Sequence, residues 1–263
     1  MNRIDPTARI EDGAVIGDDV TIGPYCIIGS QATIGPGSTL ISHVNVGGQT
    51  TIAENCTIYP FVSLGGPRGP SSGNNDSGRL EIGKHCTFRE SVTIQSGTVA
   101  GGGVTSVGDR CFFMNNSSVD HNCRIGNDVI FATSTTLGEN CQIGDFVFIG
   151  GLSIIRDSVR IGSQVMIGGL SGVHRDIIPF GLVNGDHAHL QGLNIVGMKR
   201  RKFTKERLQI MRSFYPKLFV YPGRFADRLA AVQSLRTMDT AIAEVLDFIA
   251  RGQQLCMPLH SPD

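Results

Sequence analysis

The chain of 263 residues carries no net charge, since 23 Lys and Arg offset 23 Asp and Glu. That balance gives no overall electrostatic pull toward nucleic acid. Tryptophan is absent and aromatic residues make up only 6% of the sequence, so branched aliphatics carry most of its apolar character. No apolar run is long enough to span a bilayer, and none stands at the N-terminus where a secretory signal would. A cytosolic protein is therefore the expectation. Over most of the length the two ordinary hydrophobic periods, 3.6 for a helix and 2 for a strand, are also missing.

What is present is a period of six. A large apolar residue, almost always aliphatic, recurs from Ile4 through Ile10, Ile16 and Ile22 to Leu64, resumes at Ile82, Phe88 and Ile94, and runs again from Val107 to Val173. Only a solenoid, in which each repeat takes the same place in successive coils, holds such a period. Gly often follows the aliphatic, as at Gly17, Gly23, Gly126 and Gly144. Four places after it comes a small or β-branched residue, such as Ala14, Val20 or Val129. Two positions per hexad thus point inward, and the rest suit turns and solvent. Six of the seven cysteines (Cys26, Cys56, Cys86, Cys111, Cys123, Cys141) fall on the small inward position. They are core filler rather than a metal or redox set.

Two stretches break the count. Residues 65–79 and 95–106 are rich in Gly and in small or polar residues, and read as loops extruded from a rigid body, where binding groups usually sit. The hexads stop after Pro179. From Thr204, a plausible N-cap, apolar spacings of three and four mark amphipathic helices at 204–220, 224–235 and 239–252.

This repeat resembles the hexapeptide-repeat acyltransferases. The resemblance implies a left-handed parallel β-helix of 18-residue coils, here over 1–185, with a connecting segment and helical appendage over 186–263. The general preference for right-handed crossovers predicts the opposite hand. Strand spacing then gives roughly nine coils and a prism roughly 40 Å long. The likeness narrows at FFMNNSSVDHNCRIGND (112–128), TFRESVTIQSGT (87–98), IGGLSGVHRDIIPFG (167–181) and LNIVGMKRR (193–201). Together these are similar to the UDP-N-acetylglucosamine O-acyltransferases of lipid A biosynthesis.

That resemblance implies transfer of an acyl chain from acyl carrier protein to the sugar 3-hydroxyl. It also implies homotrimers with sites between subunits, and neither a metal, another cofactor nor a covalent enzyme intermediate. The general base falls on His121, an imidazole being suited to proton transfer near neutral pH. The oxyanion donor is the backbone N–H of Glu139. Asn194, Arg200 and Arg201 fall in the nucleotide-binding segment, where Arg suits a diphosphate. His187, Met166 and Gly169 fall beside the acyl chain, and Gly169 leaves room for a long one. The basic stripe Lys199, Arg200, Arg201, Lys202, Lys205 and Arg207 suits an acidic carrier protein.

Several positions depart from the family pattern. Asn122 stands where an Asp usually follows the base, Ser118, Asn140 and Arg156 replace histidines, and 65–79 lacks the usual sugar-contacting residues. The repeat offers a substitute acid. His121, Glu139, Asp157 and Arg175 share one hexad position in successive coils, about 4.8 Å apart. Glu139 is the expected partner of His121, with Asp120 a second candidate and Arg175 a neutraliser of Asp157. O-acylation, N-acylation of a nucleotide-linked amino sugar, and a non-catalytic binding role all remain open at this level.

Overall fold

The computed structural model describes residues 1–66, 78–252 and 254–259. Hexads become mostly two-residue strands joined by tight turns, and each strand pairs in parallel with its counterpart one coil on. Arg3 faces Thr21 and Ile4 faces Ile22; Thr21 in turn faces Thr39. Three sheets of 11, 9 and 8 described strands form the three faces of a left-handed parallel β-helix. The first face begins with Arg3–Ile4, the second with Arg9–Ile10 and the third with Val15–Ile16.

The core follows from the register. Ile22, Leu40, Ile58, Phe88, Phe113, Phe131, Ile149 and Ile167 stack through the first face, all within 1% of full burial. The Phe88, Phe113 and Phe131 rings lie 5.1 and 4.6 Å apart, near the strand spacing itself. The six inward cysteines are buried free thiols. The sulfhydryls of Cys56, Cys86, Cys111, Cys123 and Cys141 donate to carbonyls of the next coil, as from Cys86 to Gly108 at 3.1 Å. Most positions three residues past an inward aliphatic are corners with the left-handed backbone: Asn55, Asn116, Asn122 and Asn140 all have φ near 60°. Asn tolerates that conformation better than most residues.

Both interruptions leave the same corner, between the second and third faces. The first follows strand Ser63–Gly66 and returns at Arg79–Ile82; the second follows Thr93–Gln95 and returns at Val104–Val107. Residues 67–77, most of the first expected loop, lie outside the described residues. The second excursion is shorter than its sequence suggests, occupying 96–103. Residues 104–107 join a four-residue parallel ladder with Arg79–Ile82, which satisfies backbone groups a loop would leave to water.

The last coil closes two residues early, Ile161 bridging to Ile177. Strand Gly181–Asn184 then pairs in parallel with Met166–Ile167 and antiparallel with His189–Leu193. The stretch read as a simple connection therefore holds a hairpin, and also helix α1 (Ile195–Arg200). Helices α2 (Lys205–Phe219), α3 (Phe225–Val232) and α4 (Thr240–Ala250) follow. The Thr204 hydroxyl caps α2 by accepting from the Arg207 N–H. Helix α4 lies against the third face, where Arg160 binds Asp176 through two bonds of 2.9 and 2.7 Å and lies over the Phe248 ring.

Candidate active site

His121 sits where the second face turns toward the third, just after strand Ser118–Val119. Its residue is 3% exposed. The carboxylate of Asp120 meets Nδ1 at 2.5 Å, and the same Oδ1 accepts the His121 backbone N–H at 2.8 Å. On the other side of the ring, Nε2 meets Glu139 Oε2. The coil spacing is held by the Asn140 N–H, which donates to the His121 carbonyl at 3.0 Å. Glu139 therefore reaches the imidazole from one coil on, at the nitrogen opposite the one an orienting acid holds. Asp120 holds that one.

The column continues one coil further. Asp157 Oδ1 accepts the Glu139 backbone N–H at 3.1 Å, so the N–H named as oxyanion donor already has a carboxylate partner here. Arg175 does not continue the pattern. It is exposed, and no ion pair joins it to Asp157 among the described residues. The early closure at Ile177 takes the chain off register just there.

Asn122 is spent elsewhere. Its side chain turns into the excursion at 96–103, where Oδ1 accepts the Thr98 N–H at 2.8 Å and Nδ2 donates to the Thr98 hydroxyl at 3.0 Å. Its own N–H donates to Thr105 Oγ1 at 2.9 Å. Gly101 passes so close that a Cβ there would lie 1.9 Å from Asn122 Nδ2. Asn122 is thus an anchor for the loop beside the histidine, not a substitute acid. Cys123, next along, donates to the Gly138 carbonyl at 3.0 Å. Its hydrogen bond with Cys141 and its burial hold the thiol far above the ordinary range, so it is no thiolate nucleophile.

A groove of about 670 Å³ runs along the second face beside the histidine, lined in part by Asp120, Gly138, Arg156, Asp157, His174 and Asp186. A second groove, about 890 Å³, runs along the first face. Its floor is the register row Phe112, Ile130, Phe148, Met166 and Leu182, and its wall includes Arg200 and Arg201 of the tail.

Known proteins share this architecture and this chain's sequence. Residues 2–36 match the bacterial transferase hexapeptide model, and residues 176–256 match domain 2 of UDP-N-acetylglucosamine O-acyltransferase. The acyl-[acyl-carrier-protein]--UDP-N-acetylglucosamine O-acyltransferase of Azorhizobium caulinodans is 51% identical, over 97% of this chain and 95% of its own. That of Rickettsia bellii is 46% identical over 95% and 89%. The chain belongs to the UDP-N-acetylglucosamine O-acyltransferase family. Among solved structures, the Moraxella catarrhalis UDP-N-acetylglucosamine O-acyltransferase superposes with a TM-score of 0.92 at 32% identity, covering 96% of this chain and 99% of that one.

Within this O-acyltransferase chain the remaining expected residues separate. Met166 and Arg200 line the first-face groove. Arg201 stacks on Phe146 at 4.4 Å, and burial lowers its guanidinium below the usual range. Its Nε is buried without a partner among the described residues. Asn194 borders the same groove, but its amide caps α1 through the Gly197 N–H and donates to the Gln164 carbonyl. Gly169 stands exposed on a corner and does not line the groove. His187 is exposed, its ring 5.3 Å from that of His174 at the end of the second-face groove. Of the basic stripe, Arg207 is committed to Asp239 by bonds of 2.7 and 2.8 Å. Lys199, Arg200, Lys202 and Lys205 are exposed.

The hexad count located the corner column. It did not single out Arg156, His174 and Asp186 as one groove wall, because Arg156 and His174 meet only on the outward face of neighbouring coils and Asp186 joins them from the turn of the terminal hairpin. The register Thr136↔Ile154↔Gly172, read along the sheet, carries that signal.

Proposed function

We propose that this chain transfers an acyl group from acyl carrier protein to the 3-hydroxyl of UDP-N-acetylglucosamine, the first step of lipid A biosynthesis, in the cytoplasm. The observation that carries this reading is the His121 imidazole, held at a coil corner between two carboxylates at the edge of a groove. His121 Nε2 takes the hydroxyl proton as the sugar oxygen attacks the thioester carbon. The tetrahedral oxyanion forms against the Glu139 N–H, which first leaves its Asp157 partner. As the carbonyl re-forms, the C–S bond breaks, and the imidazolium returns its proton to the departing thiol. No step needs a metal or an enzyme-bound acyl group. Among the described residues, no helix is long and apolar enough to cross a membrane, which accords with soluble substrates.

Arg200 and Arg201 take the diphosphate or the carrier protein, with Asn194 holding α1 in place beneath them. Met166 takes the acyl chain, Gly169 leaves the adjoining corner open and His187 closes the far end of the histidine groove. Exposed Lys199, Lys202 and Lys205 complete the carrier docking patch. The two grooves lie on different faces of one chain. A homotrimer of parallel prisms brings the second face of one subunit against the first face of the next. A ladder of exposed rings at one corner, Tyr25, His43 and Phe61 with centroids 5.0 Å apart, suits such a contact.

A second acceptor is favoured by one observation: Asp120, Glu139 and Asp157 make the surroundings of His121 acidic, which suits an ammonium group. One assay separates the readings. Purified protein is offered acyl carrier proteins of varied chain length with UDP-N-acetylglucosamine or its 3-amino analogue, and thiol release is followed. Turnover with the hydroxyl sugar supports O-acylation; turnover with the amine alone replaces it with N-acylation; no turnover with either removes the catalytic reading. Replacing Arg200 and Arg201 together raises the KM for at least one substrate with a strong salt dependence. Unchanged KM values sink that assignment. Sedimentation as a stable micromolar monomer excludes the trimer.

A further inference from the structure

We propose that Asp120 is the positioning residue of His121, and that Glu139 is a gate on Nε2 which the acceptor must displace. This rests on the general-base reading above and assigns its two carboxylates opposite tasks. Asp120 is fixed by two bonds from one residue, the His121 N–H and Nδ1, so it sets ring orientation and tautomer together. A carboxylate accepts only, so Nδ1 carries a proton held by Asp120, and the nitrogen left to exchange a proton with substrate is Nε2. That nitrogen is where Glu139 sits.

The ring's side chain is only 4% exposed, whereas those of Asp120 and Glu139 are 39% and 29% exposed. Access to Nε2 therefore runs through the place the Glu139 carboxylate occupies. Glu139 is tied by its backbone, through the N–H to Asp157 and its carbonyl to the Ser158 N–H. Its side chain turns about three bonds without moving that backbone. When it swings out, the proton on Nε2 passes to water, leaving the lone pair bare. The acceptor hydroxyl then gives its own proton to Nε2. That proton leaves with the thiol, and Nε2 takes one back from water as Glu139 returns, so protons balance over a cycle. Asn122 has no part in this, since its amide is committed to Thr98.

The titratable groups around the ring are Asp120 and Glu139 on its two nitrogens, Asp157 behind Glu139, Cys123 beside it, and Arg156, His174 and Asp186 along the groove. Two measurements test the assignment on the intact protein. One is steady-state turnover with acyl carrier protein and sugar nucleotide. The other is the rate at which diethyl pyrocarbonate labels His121, read by peptide mass. Asp120→Asn is expected to lower kcat at least about tenfold, as loss of an orienting carboxylate does, with KM for the acceptor little changed. Asp120→Glu is expected to recover part of that loss. Glu139→Ala is expected to speed labelling of His121 severalfold and to lower the acceptor KM. Full kcat in Asp120→Asn overturns the positioning role. Unchanged labelling in Glu139→Ala overturns the gate. Wild-type turnover in His121→Ala is a different failure, since it removes the general-base reading itself.

Discussion

One corner of the prism reads differently in its two halves. Two residues past the second-face aliphatics stand Asp12, Ser30, Gly48, Gly66 and Ser96, then His121, Glu139 and Asp157. The strands leading to the corner keep one register, carried from Arg9–Ile10 to Ile154–Ile155 by parallel pairs, with a shift past Leu64 where the first excursion leaves. In the first half the corner carries small or solvated groups. In the second it carries an imidazole between carboxylates. The change comes just past the two excursions, which leave from this corner after Gly66 and Gln95. Corner side chains point away from the core, so a titratable group stands there without disturbing the buried stack. The excursion at 96–103 then supplies what a regular coil lacks, a wall beside the group, tied to Asn122.

The sharpest way to break this comparison is to remove the imidazole. His121→Ala is expected to cut kcat by about 10² or more, the scale of a general base, with the thermal midpoint and assembly unchanged. Ser30→Ala, the same corner in the quiet half, is expected to alter neither. A fall in thermal midpoint that accounts for the lost rate in His121→Ala would erase the distinction between halves.

Next in size is the loop wall. Gly101→Ala puts a methyl 1.9 Å from Asn122 Nδ2. It is expected to lose about 1–3 kcal/mol in denaturant unfolding, together with activity. Among the described residues nothing lies within 4 Å of a built Cβ at Gly66, which has no left-handed φ, so Gly66→Ala is expected to be neutral in stability. Equal effects in the two variants would deny that the excursion is anchored.

Asn122 sharpens the same point. Asn122→Ala leaves the buried Thr98 N–H without its acceptor, at about 1–3 kcal/mol. Asn122→Asp keeps that acceptor but loses the Nδ2 donor to Thr98, and is expected to be milder. An Asp here that restored catalysis in Asp120→Asn would return Asn122 to the active site.

The smallest effect is a pH dependence in the tail. Asp239 is held below the usual carboxylate range, first by the Arg207 hydrogen bond and also by the Ala241 N–H. A depressed folded-state value gives stability that is present above the unfolded value, about 3.9, and lost as pH falls through the folded one. Arg207→Met is expected to flatten the slope of stability with pH below about 4. Urea midpoints across that range check it; an unchanged slope counts against the pairing.

Much of this protein is set by period alone. Six-residue spacing of aliphatics fixes the inward positions, and the same count puts His121, Glu139 and Asp157 on one corner. The cysteines read as core filler because their register, not their chemistry, repeats. Amphipathic spacing likewise gave the three tail helices, whose apolar faces are legible in any single turn. Less legible were the hairpin Gly181–Asn184 with His189–Leu193 and the short helix α1, since neither holds a period for long enough.

The tertiary structure decided what each side chain does at its assigned place. Asp120 rather than Asn122 bonds the ring, Glu139 meets Nε2 rather than Nδ1, and Asn194 caps a helix beneath the arginines. Arg207 is drawn from the basic stripe into a pair with Asp239. Sequence determines these residues' backbone positions because the solenoid repeats one backbone geometry. It leaves their directions open because a side-chain torsion answers to whichever donor or acceptor lies within reach, and that neighbour is one coil, one loop or one helix away in the folded chain.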